Sequence, residues 1–259
     1  MTASWAQRRL TAFDLETTSP DPEEARIVQY AVAWMGGEYR ASHTQQLVDP
    51  GVEIPEEAAR IHGITTEQVR SEGTDPRLAL DFIVRAVRQA VEQKRPLVGH
   101  NIVYDLTVVD RELRRYVGHG LQDAVGAPVR PVIDTLVLSK QVDRYRRRVS
   151  ETQGAHVLRT CVEVFVTPLW GVEWDEQQAH DALYDCQMSA RVAVAIAARH
   201  PQLWDMDPLE LHDAQVEWAA EQAASYEEWL RSPRAGDKQV PDAVIPRDWP
   251  VCLPQSTAE

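Results

Sequence analysis

The chain of 259 residues is 44% hydrophobic, enough apolar material for one large domain and an additional segment. No apolar run approaches the length of a membrane-spanning helix and the N-terminus lacks a signal-peptide core, so we expect a soluble, cytoplasmic protein without membrane contacts. The formal net charge of -13 argues against a protein that wraps a long nucleic-acid duplex.

The hydrophobic pattern predicts a mixed α/β fold. Strands are expected near residues 8–16, 25–35, 38–48, 96–99 and 131–134, with a hairpin turn at Gly36 and Gly37. Helices are expected near residues 76–93, 103–117, directly after 134, 156–165 and 181–199, with an exposed loop at 143–154. The three cysteines show no C-x-x-C spacing, which gives no indication of a disulfide framework or a zinc site. Cys161 and Cys186 lie in helical patterns and are expected to be buried thiols.

The first strand carries two carboxylates, Asp14 and Glu16. Side chains two residues apart lie on one face of a strand, so both carboxylates can reach the same metal cluster. Turn-forming residues at 17–22 end the strand, which places the pair where a strand can line a cleft. An isolated pair of this kind also fits a solvated edge strand, so the motif alone does not decide between the two.

Two further segments contribute acidic residues. Asp105 is predicted in the first turns of a helix, where a favourable charge near the helix N-terminus would also explain it. Asp185 lies on the helix at 181–199, with Asp181 as its N-cap. Five residues span about 500° of helix, so His180 cannot share a helical face with Asp185 and is expected in the preceding loop, where its imidazole can move.

These residues suit two-metal phosphodiester hydrolysis, because two ions in one site need several hard carboxylate oxygens that converge from different segments. Their motifs are DLETT at 14–18, HNIVYD at 100–105 and HDALYD at 180–185. With these motifs, the chain resembles the DnaQ-like proofreading exonucleases that use a catalytic histidine. Residues 61–65 and 133–136 resemble the H-G-I-T loop and the I-D-T-L step of the same family, and the resemblance covers approximately residues 8–200.

The resemblance implies a ribonuclease H-like, mixed five-stranded sheet flanked by helices in residues 1–200, followed by a helical extension at 201–259. It implies two divalent ions, Mg²⁺ or Mn²⁺, and a set of metal carboxylates consisting of Asp14, Glu16, Asp105 and Asp185. Asp14 would bridge both ions, Asp105 would act partly through water, and His180 would be the general base for the attacking water. The 3′-terminal nucleotide would be held by Thr17, Thr18, His62 and Asn101, whereas Asp134 is expected to be a helix cap or supporting group.

The implied activity is 3′ to 5′ hydrolysis of single-stranded or frayed ends, with release of nucleoside 5′-monophosphates. DNA is favoured over RNA, an RNA-trimming exoribonuclease stays open as the alternative, and a DNA polymerase is a candidate partner. A non-catalytic nucleic-acid-binding scaffold is the other class, which the intact ligand set disfavours. The sequence departs from the family pattern at Ser19-Pro20, where glycine often follows the two threonines, and at Tyr104, where phenylalanine is common.

The densest basic run, residues 144–148, has Tyr145 inside it and fits a solvated loop or a strand-binding loop equally well. Residues 201–259 carry 4 basic and 12 acidic residues, a net of -8, and leave -5 for residues 1–200. A helix near 208–231 is predicted to place one apolar stripe on a single face, namely Leu211, Ala214, Trp218 and Trp229. The segment from 233 is expected to be irregular. The extension is expected to pack on the chain's own domain in preference to a polymerase or another partner.

Overall fold

The computed structural model describes residues 4–38 and 40–254. A five-stranded sheet in the order β3-β2-β1-β4-β5 forms its centre. The strands are β1 (Leu10–Thr17), β2 (Ile27–Met35), β3 (Ser42–Leu47), β4 (Leu97–Gly99) and β5 (Val132–Asp134). β1 pairs antiparallel with β2 and parallel with β4, which pairs parallel with β5. The carboxyl ends of β1, β4 and β5 therefore meet at one edge, and the predicted mixed sheet of five strands is confirmed.

The helices cover both faces of this sheet. They are α1 (Glu56–His62), α2 (Thr66–Glu72), α3 (Pro76–Glu92), α4 (Ile102–Val117), α5 (Leu121–Val125), α6 (Thr135–Val142), α7 (Leu158–Cys161), α8 (Thr167–Trp170), α9 (Ala182–Arg199), α10 (Pro201–Trp204) and α11 (Pro208–Arg231). A π-helical turn, Val162–Val166, joins α7 to α8, so the helical segment predicted near 156–165 continues further than expected. The short helices α1, α2 and α5 were not predicted, because one or two turns leave almost no hydrophobic period to detect.

Local signals explain where the long helices begin and end. Asp75 caps α3 by accepting a hydrogen bond from the backbone N–H of Arg77 at 2.7 Å, and Pro76 occupies the first helical position. Gly118, with a φ of 82°, ends α4 in the left-handed conformation that favours glycine. Gly36 and Gly37 follow β2 with positive φ, which glycine adopts readily. Pairing resumes only at Ser42, opposite Trp34, so the connection is longer than the predicted turn and β3 begins later than expected. The loop at 143–154 contains no helix or strand, as expected.

The core is divided between the two faces of the sheet. α9 and the helical segment before it pack on one face, where Ala12 and both predicted buried thiols lie. α3 and α4 pack on the other face, where Phe13 and Leu15 lie. Strand alternation therefore turns Asp14 and Glu16 towards α9.

The extension covers the free edge of β5. The Nδ1 atom of His212 accepts a hydrogen bond from the backbone N–H of Val132 at 3.1 Å. The side-chain amide of Gln215 accepts from the backbone N–H of Asp134 at 2.8 Å and donates to the carbonyl of Val132 at 3.0 Å. α11 thus occupies the position of a neighbouring strand and satisfies the edge that would otherwise be open. The expected packing on the chain's own fold is confirmed, while the boundary at residue 200 stays a prediction.

The predicted apolar stripe is right at one end of α11 and wrong at the other. Leu211 is fully buried and Trp218 is half-buried against the core. Trp229 is 36% exposed and stacks on Tyr226, with ring centroids 5.8 Å apart. The helix of 24 residues is about 36 Å long and extends beyond the short β5, so its last turns have no sheet to cover.

The segment after α11 returns across the fold. A 3-10 helical turn, Pro233–Lys238, is its only regular element among the described residues, in agreement with the predicted irregular structure. The backbone N–H of Cys252 donates to the hydroxyl of Thr107 at 3.0 Å, and Trp249 packs on His212. Within residues 4–38 and 40–254, none of the helices combines the length and the apolar character needed to cross a bilayer.

We expect Gln215→Leu to lower the free energy of unfolding by about 2–4 kcal/mol, because a buried N–H and a buried carbonyl lose their partners. The melting temperature of the metal-free protein, measured by calorimetry, should fall by roughly 5–15 °C. Glu221→Gln, on the exposed side of the same helix, is the matched control and should leave it nearly unchanged. Equal melting temperatures for the two variants would show that α11 does not stabilise the edge of β5.

Candidate functional site

The last residues of β1 supply the first two carboxylates. Asp14 is half-buried and Glu16 is 7% exposed, and both face α9 as the alternation predicts. They lie opposite Ala31 and Gln29 of β2, whereas the pairing of β1 with β4 covers only Thr11 and Ala12. The pairing with β2 therefore fixes the backbone that carries both side chains.

Asp105 approaches from α4. It lies in the first turns of that helix, as expected, and its side chain is 4% exposed. Its Oδ1 atom accepts a hydrogen bond from the backbone N–H of Leu15 at 3.0 Å. This bond attaches Asp105 to the residue between Asp14 and Glu16, so the third carboxylate is fixed directly beside the first two.

Asp134 supports this arrangement from β5. Its Oδ1 atom accepts from the backbone N–H groups of Leu136 and Asn101, each at 2.9 Å. The first bond caps α6, and the second holds the turn between β4 and α4, where Asn101 has a φ of 63°. The prediction that Asp134 is a helix cap is confirmed.

The start of α9 brings in the last carboxylate and the histidine. Asp181 caps the helix by accepting from the backbone N–H of Tyr184 at 3.0 Å, as predicted, and also accepts from the Gln45 side chain at 2.6 Å. His180 is exposed and precedes the helix, also as predicted. Single ligand atoms of Glu16, His180 and Asp185 all lie within 4.8 Å of one another.

Mutual repulsion and burial dominate the electrostatics of the cluster. Burial raises the pKa of Asp14 and of Asp105 well above the usual value, and the neighbouring carboxylates raise the pKa of Asp14 further. Burial, reinforced by Asp185 and Asp105, raises the pKa of Glu16 to about 9. For Asp185 the same effect, with Asp181 as the main charged neighbour, raises the pKa to about 7. The folded chain therefore holds more negative charge in this cleft than it can stabilise with its own groups.

These features fit divalent cations. All four carboxylates offer the hard oxygen atoms that Mg²⁺ and Mn²⁺ prefer. The Oδ1 atom of Asp185 is buried and accepts no hydrogen bond from any residue in the described part of the chain. Such an unpartnered carboxylate oxygen costs free energy unless a cation or proton reaches it. We conclude that the cluster is a candidate site for metal ions.

The four residues expected to hold a nucleotide lie around this cluster. The hydroxyl of Thr18 accepts from the backbone N–H of Arg26 at 3.0 Å, which closes the turn after β1. His62 lies at the end of α1; burial lowers its pKa, with a smaller contribution from nearby His180. Asn101 is exposed at the start of α4. Their roles towards substrate stay predictions.

The two departures from the family pattern contact each other. The hydroxyl of Tyr104 lies 2.5 Å from the hydroxyl of Thr17 and donates to the carbonyl of Ser19. The Thr17 hydroxyl also donates to that carbonyl, at 3.1 Å. Tyr104 therefore fixes the loop that a glycine would have left more flexible. Sequence reasoning noted both positions but missed their connection, because residues 85 positions apart reveal contact only in the fold.

A family model described as Exonuclease matches residues 11–193. The chain is 23% identical over 180 residues to the PolC-type DNA polymerase III of Pediococcus pentosaceus, covering 70% of this chain and 11% of that protein. It is 24% identical over 212 residues to the corresponding polymerase of Lacticaseibacillus paracasei, covering 80% and 13%. The chain thus spans only a small part of these relatives.

Among solved structures, Escherichia coli exonuclease I in complex with a 5cy-dT13 oligonucleotide shares the fold, with a TM-score of 0.55 and 18% identity. The similarity covers 77% of this chain and 42% of that chain. It agrees with the predicted ribonuclease H-like arrangement of a mixed sheet between helices.

The raised pKa values predict how stability depends on pH in the absence of metal. In the unfolded chain Glu16 releases its proton near the ordinary glutamate pKa of 4.5, whereas in the folded state it keeps the proton up to a pKa of about 9. Between these two pH values the folded state therefore binds more protons than the unfolded chain. The free energy of unfolding should therefore fall as pH rises through that interval. Calorimetry in a chelator should show this decrease, and Mg²⁺ should reverse it.

Asp14→Asn removes one of the repelling charges, so it should flatten the pH dependence and raise the metal-free melting temperature at pH 8 by roughly 2–4 °C for each kcal/mol gained. Asp123→Asn, an exposed position on α5, is the matched control. A metal-free protein that becomes more stable with rising pH would contradict the electrostatic description of the cluster.

Proposed function

Because the chain belongs to the DnaQ-like exonuclease family, we propose that it is a metal-dependent 3′ to 5′ exonuclease acting on single-stranded or frayed DNA ends. The observation that carries the proposal is the convergence of four carboxylates and one exposed histidine at the end of β1. Its products would be nucleoside 5′-monophosphates. The oligonucleotide held by Escherichia coli exonuclease I, which shares the fold, supports DNA as the substrate.

Asp14, Glu16, Asp105 and Asp185 would hold two divalent ions, Mg²⁺ or Mn²⁺. When bound, two such ions supply stabilisation of the attacking and leaving oxygens of an in-line displacement. The strand and helix backbones around these residues keep the carboxylates in place, so little rearrangement is needed when substrate arrives.

His180 would act as the general base. It lies before α9 and is exposed, so its ring can reach a water molecule next to the terminal phosphate. The ring accepts a proton from that water as the water oxygen forms its bond to phosphorus. The bond from phosphorus to the 3′ oxygen of the preceding nucleotide breaks, that oxygen takes a proton from solvent to become the new 3′ hydroxyl, and a nucleoside 5′-monophosphate leaves. The imidazolium then returns its proton to solvent.

Thr17, Thr18, His62 and Asn101 would position the terminal nucleotide. The fixed loop of Thr17 and Ser19 supports this, since Tyr104 immobilises the backbone beside Glu16. The PolC-type relatives are polymerases of which the chain matches only a part, which makes a DNA polymerase a candidate partner.

We expect chelation to abolish cleavage of 5′-labelled single-stranded DNA, with Mg²⁺ or Mn²⁺ restoring it as a ladder that shortens from the 3′ end. Asp14→Asn should be inactive while remaining folded, because the metal carboxylates lose one negative ligand. An RNA oligonucleotide of the same sequence, digested in parallel, tests the exoribonuclease alternative. Binding of DNA without any cleavage at saturating metal would instead favour the non-catalytic scaffold.

His180→Ala should lower kcat by roughly a hundred- to ten-thousand-fold, which is the usual contribution of a general base. Binding of Mn²⁺, followed by electron paramagnetic resonance, should persist because the four carboxylates remain. His119→Ala, another exposed histidine distant in sequence from the three motifs, serves as the control. If His180→Ala cleaves as fast as the wild type near neutral pH, His180 is not the base.

A further inference from the structure

A cleft with aromatic and basic walls lies where the loop at 143–154 meets the end of α11. We call it the aromatic cleft; its volume is about 540 Å³, and it is lined by Arg144, Tyr145, Ser225, Glu228, Trp229, Ser232, Pro233 and Arg234. The proposed chemistry uses none of these residues. The cleft therefore needs its own explanation.

The aromatic side chains are unusually accessible. Tyr145 is 88% exposed, Tyr226 is 51% exposed and Trp229 is 36% exposed. Tyr226 and Trp229 are nearly parallel, with 15° between their ring planes, so they already form a small stacking surface. Exposed aromatic rings next to basic groups are typical of surfaces on which successive bases of a single strand stack.

The basic groups are available for phosphate. In the described part of the chain, Arg144 and Arg234 have no carboxylate within 4.0 Å, and Arg144 only donates to the hydroxyl of Ser225 at 2.7 Å. Glu227, in contrast, is paired with Arg231 at 3.2 Å. Against the two arginines the cleft holds one acid, Glu228, so it is a net positive patch in an otherwise acidic extension.

The loop that carries Arg144 and Tyr145 is held in place by contacts of Arg146. Arg146 donates to the hydroxyl of Ser139 and to the carbonyl of Ala155, each at 3.2 Å, and its guanidinium lies over the ring of Phe165. Arg146 is thus a structural residue of the basic run. Its burial turns the loop so that its neighbours Arg144 and Tyr145 face the cleft.

The aromatic cleft is connected to the candidate active site. A second pocket, of about 240 Å³, is lined by Asn101 and Tyr226, together with Lys140 and Arg247. Tyr226 in turn stacks on Trp229. Through these two rings, the aromatic cleft adjoins a pocket that reaches Asn101 at the start of α4.

We propose that the aromatic cleft binds the single-stranded DNA that lies on the 5′ side of the nucleotide being removed. The inference rests on the proposed function, since the 3′ terminus must occupy the carboxylate site for the preceding nucleotides to reach α11. Bases stack on Trp229, Tyr226 and Tyr145, while Arg144 and Arg234 contact phosphates. The extension thereby makes the enzyme prefer longer single strands.

The test uses the full chain and compares its activity on three substrates. These are the 4-nitrophenyl ester of thymidine 5′-monophosphate, a single strand of about 4 nucleotides and a single strand of about 12 nucleotides. The two strand lengths lie within the common range of single-strand site sizes. Trp229→Ala should lower kcat/KM for the longer strand by about fivefold or more and leave hydrolysis of the ester unchanged. Trp229→Phe should restore most of the loss. Trp170→Ala, which removes an exposed tryptophan outside the cleft, should change neither activity.

Binding provides an independent readout. The affinity for single-stranded DNA is measured in an inactive Asp14→Asn background at several salt concentrations. The logarithm of the association constant falls as the logarithm of the salt concentration rises, and Arg144→Gln should make this negative slope shallower by about 0.7, the value for one phosphate contact on a single strand. Arg85→Gln, on the surface of α3, should leave the slope unchanged.

The two proposals fail in different ways. If the wild type hydrolyses the ester but Trp229→Ala shows the same strand-length preference and affinity, the cleft does not bind DNA, and a protein partner becomes its alternative occupant. If the wild type hydrolyses neither ester nor strands while DNA binding still depends on Trp229, the exonuclease proposal fails; the cleft then binds single-stranded DNA, but its assignment to the 5′ side of a nucleotide being removed is overturned.

Discussion

Repulsion among the carboxylates at the end of β1 is the constraint on which the rest of the structure depends. Asp14, Glu16, Asp105 and Asp185 come from three separate segments, and burial together with their mutual charge raises the pKa of each. Such a cluster opposes folding in the absence of cations. Elements that converge on it must therefore be held by packing and hydrogen bonds elsewhere.

The fold supplies those bonds through the backbone. Leu15 donates its N–H to Asp105, so two of the segments are joined within the cluster itself. Asp134 and Asp181 are close to it in the fold, yet each accepts hydrogen bonds from helix N-termini and so has a structural partner. Asp134 and Asp185 each keep one buried oxygen without a hydrogen-bond partner among the described residues. What marks Asp185 as a candidate ligand is its position, since its ligand atom lies within 4.8 Å of those of Glu16 and His180.

The extension stabilises the edge of the sheet in a similar way, through hydrogen bonds to the backbone. His212 and Gln215 bind the backbone of β5 as a strand would, which protects a short edge that contributes Asp134 to the site. Beyond β5, α11 has no sheet to pack against, and its aromatic residues Tyr226 and Trp229 are exposed. One helix thus combines a structural half with a half that is free to contact another molecule.

The sequence by itself determined the order of the strands along the chain, the long helices and the members of the acidic cluster. Alternation along β1 and the caps Asp75 and Asp181 are local signals, and local signals are readable without the fold. The short helices escaped because they contain too few residues for a hydrophobic period. The prediction that Trp229 is buried was wrong. Helical spacing shows which face of the helix carries a side chain, but it does not show whether another element packs against that face.

Only the tertiary structure decided which groups meet. Three features join residues 81 to 85 positions apart along the chain: the bond between Tyr104 and Ser19, the bonds of Gln215 to β5, and the cleft shared by Tyr145 and Trp229. No periodicity records such contacts, because they follow from the path of the backbone through the whole sheet. The sequence therefore identified the chemical groups, and the packing of α9, α4 and α11 determined their neighbours, their burial and their charge.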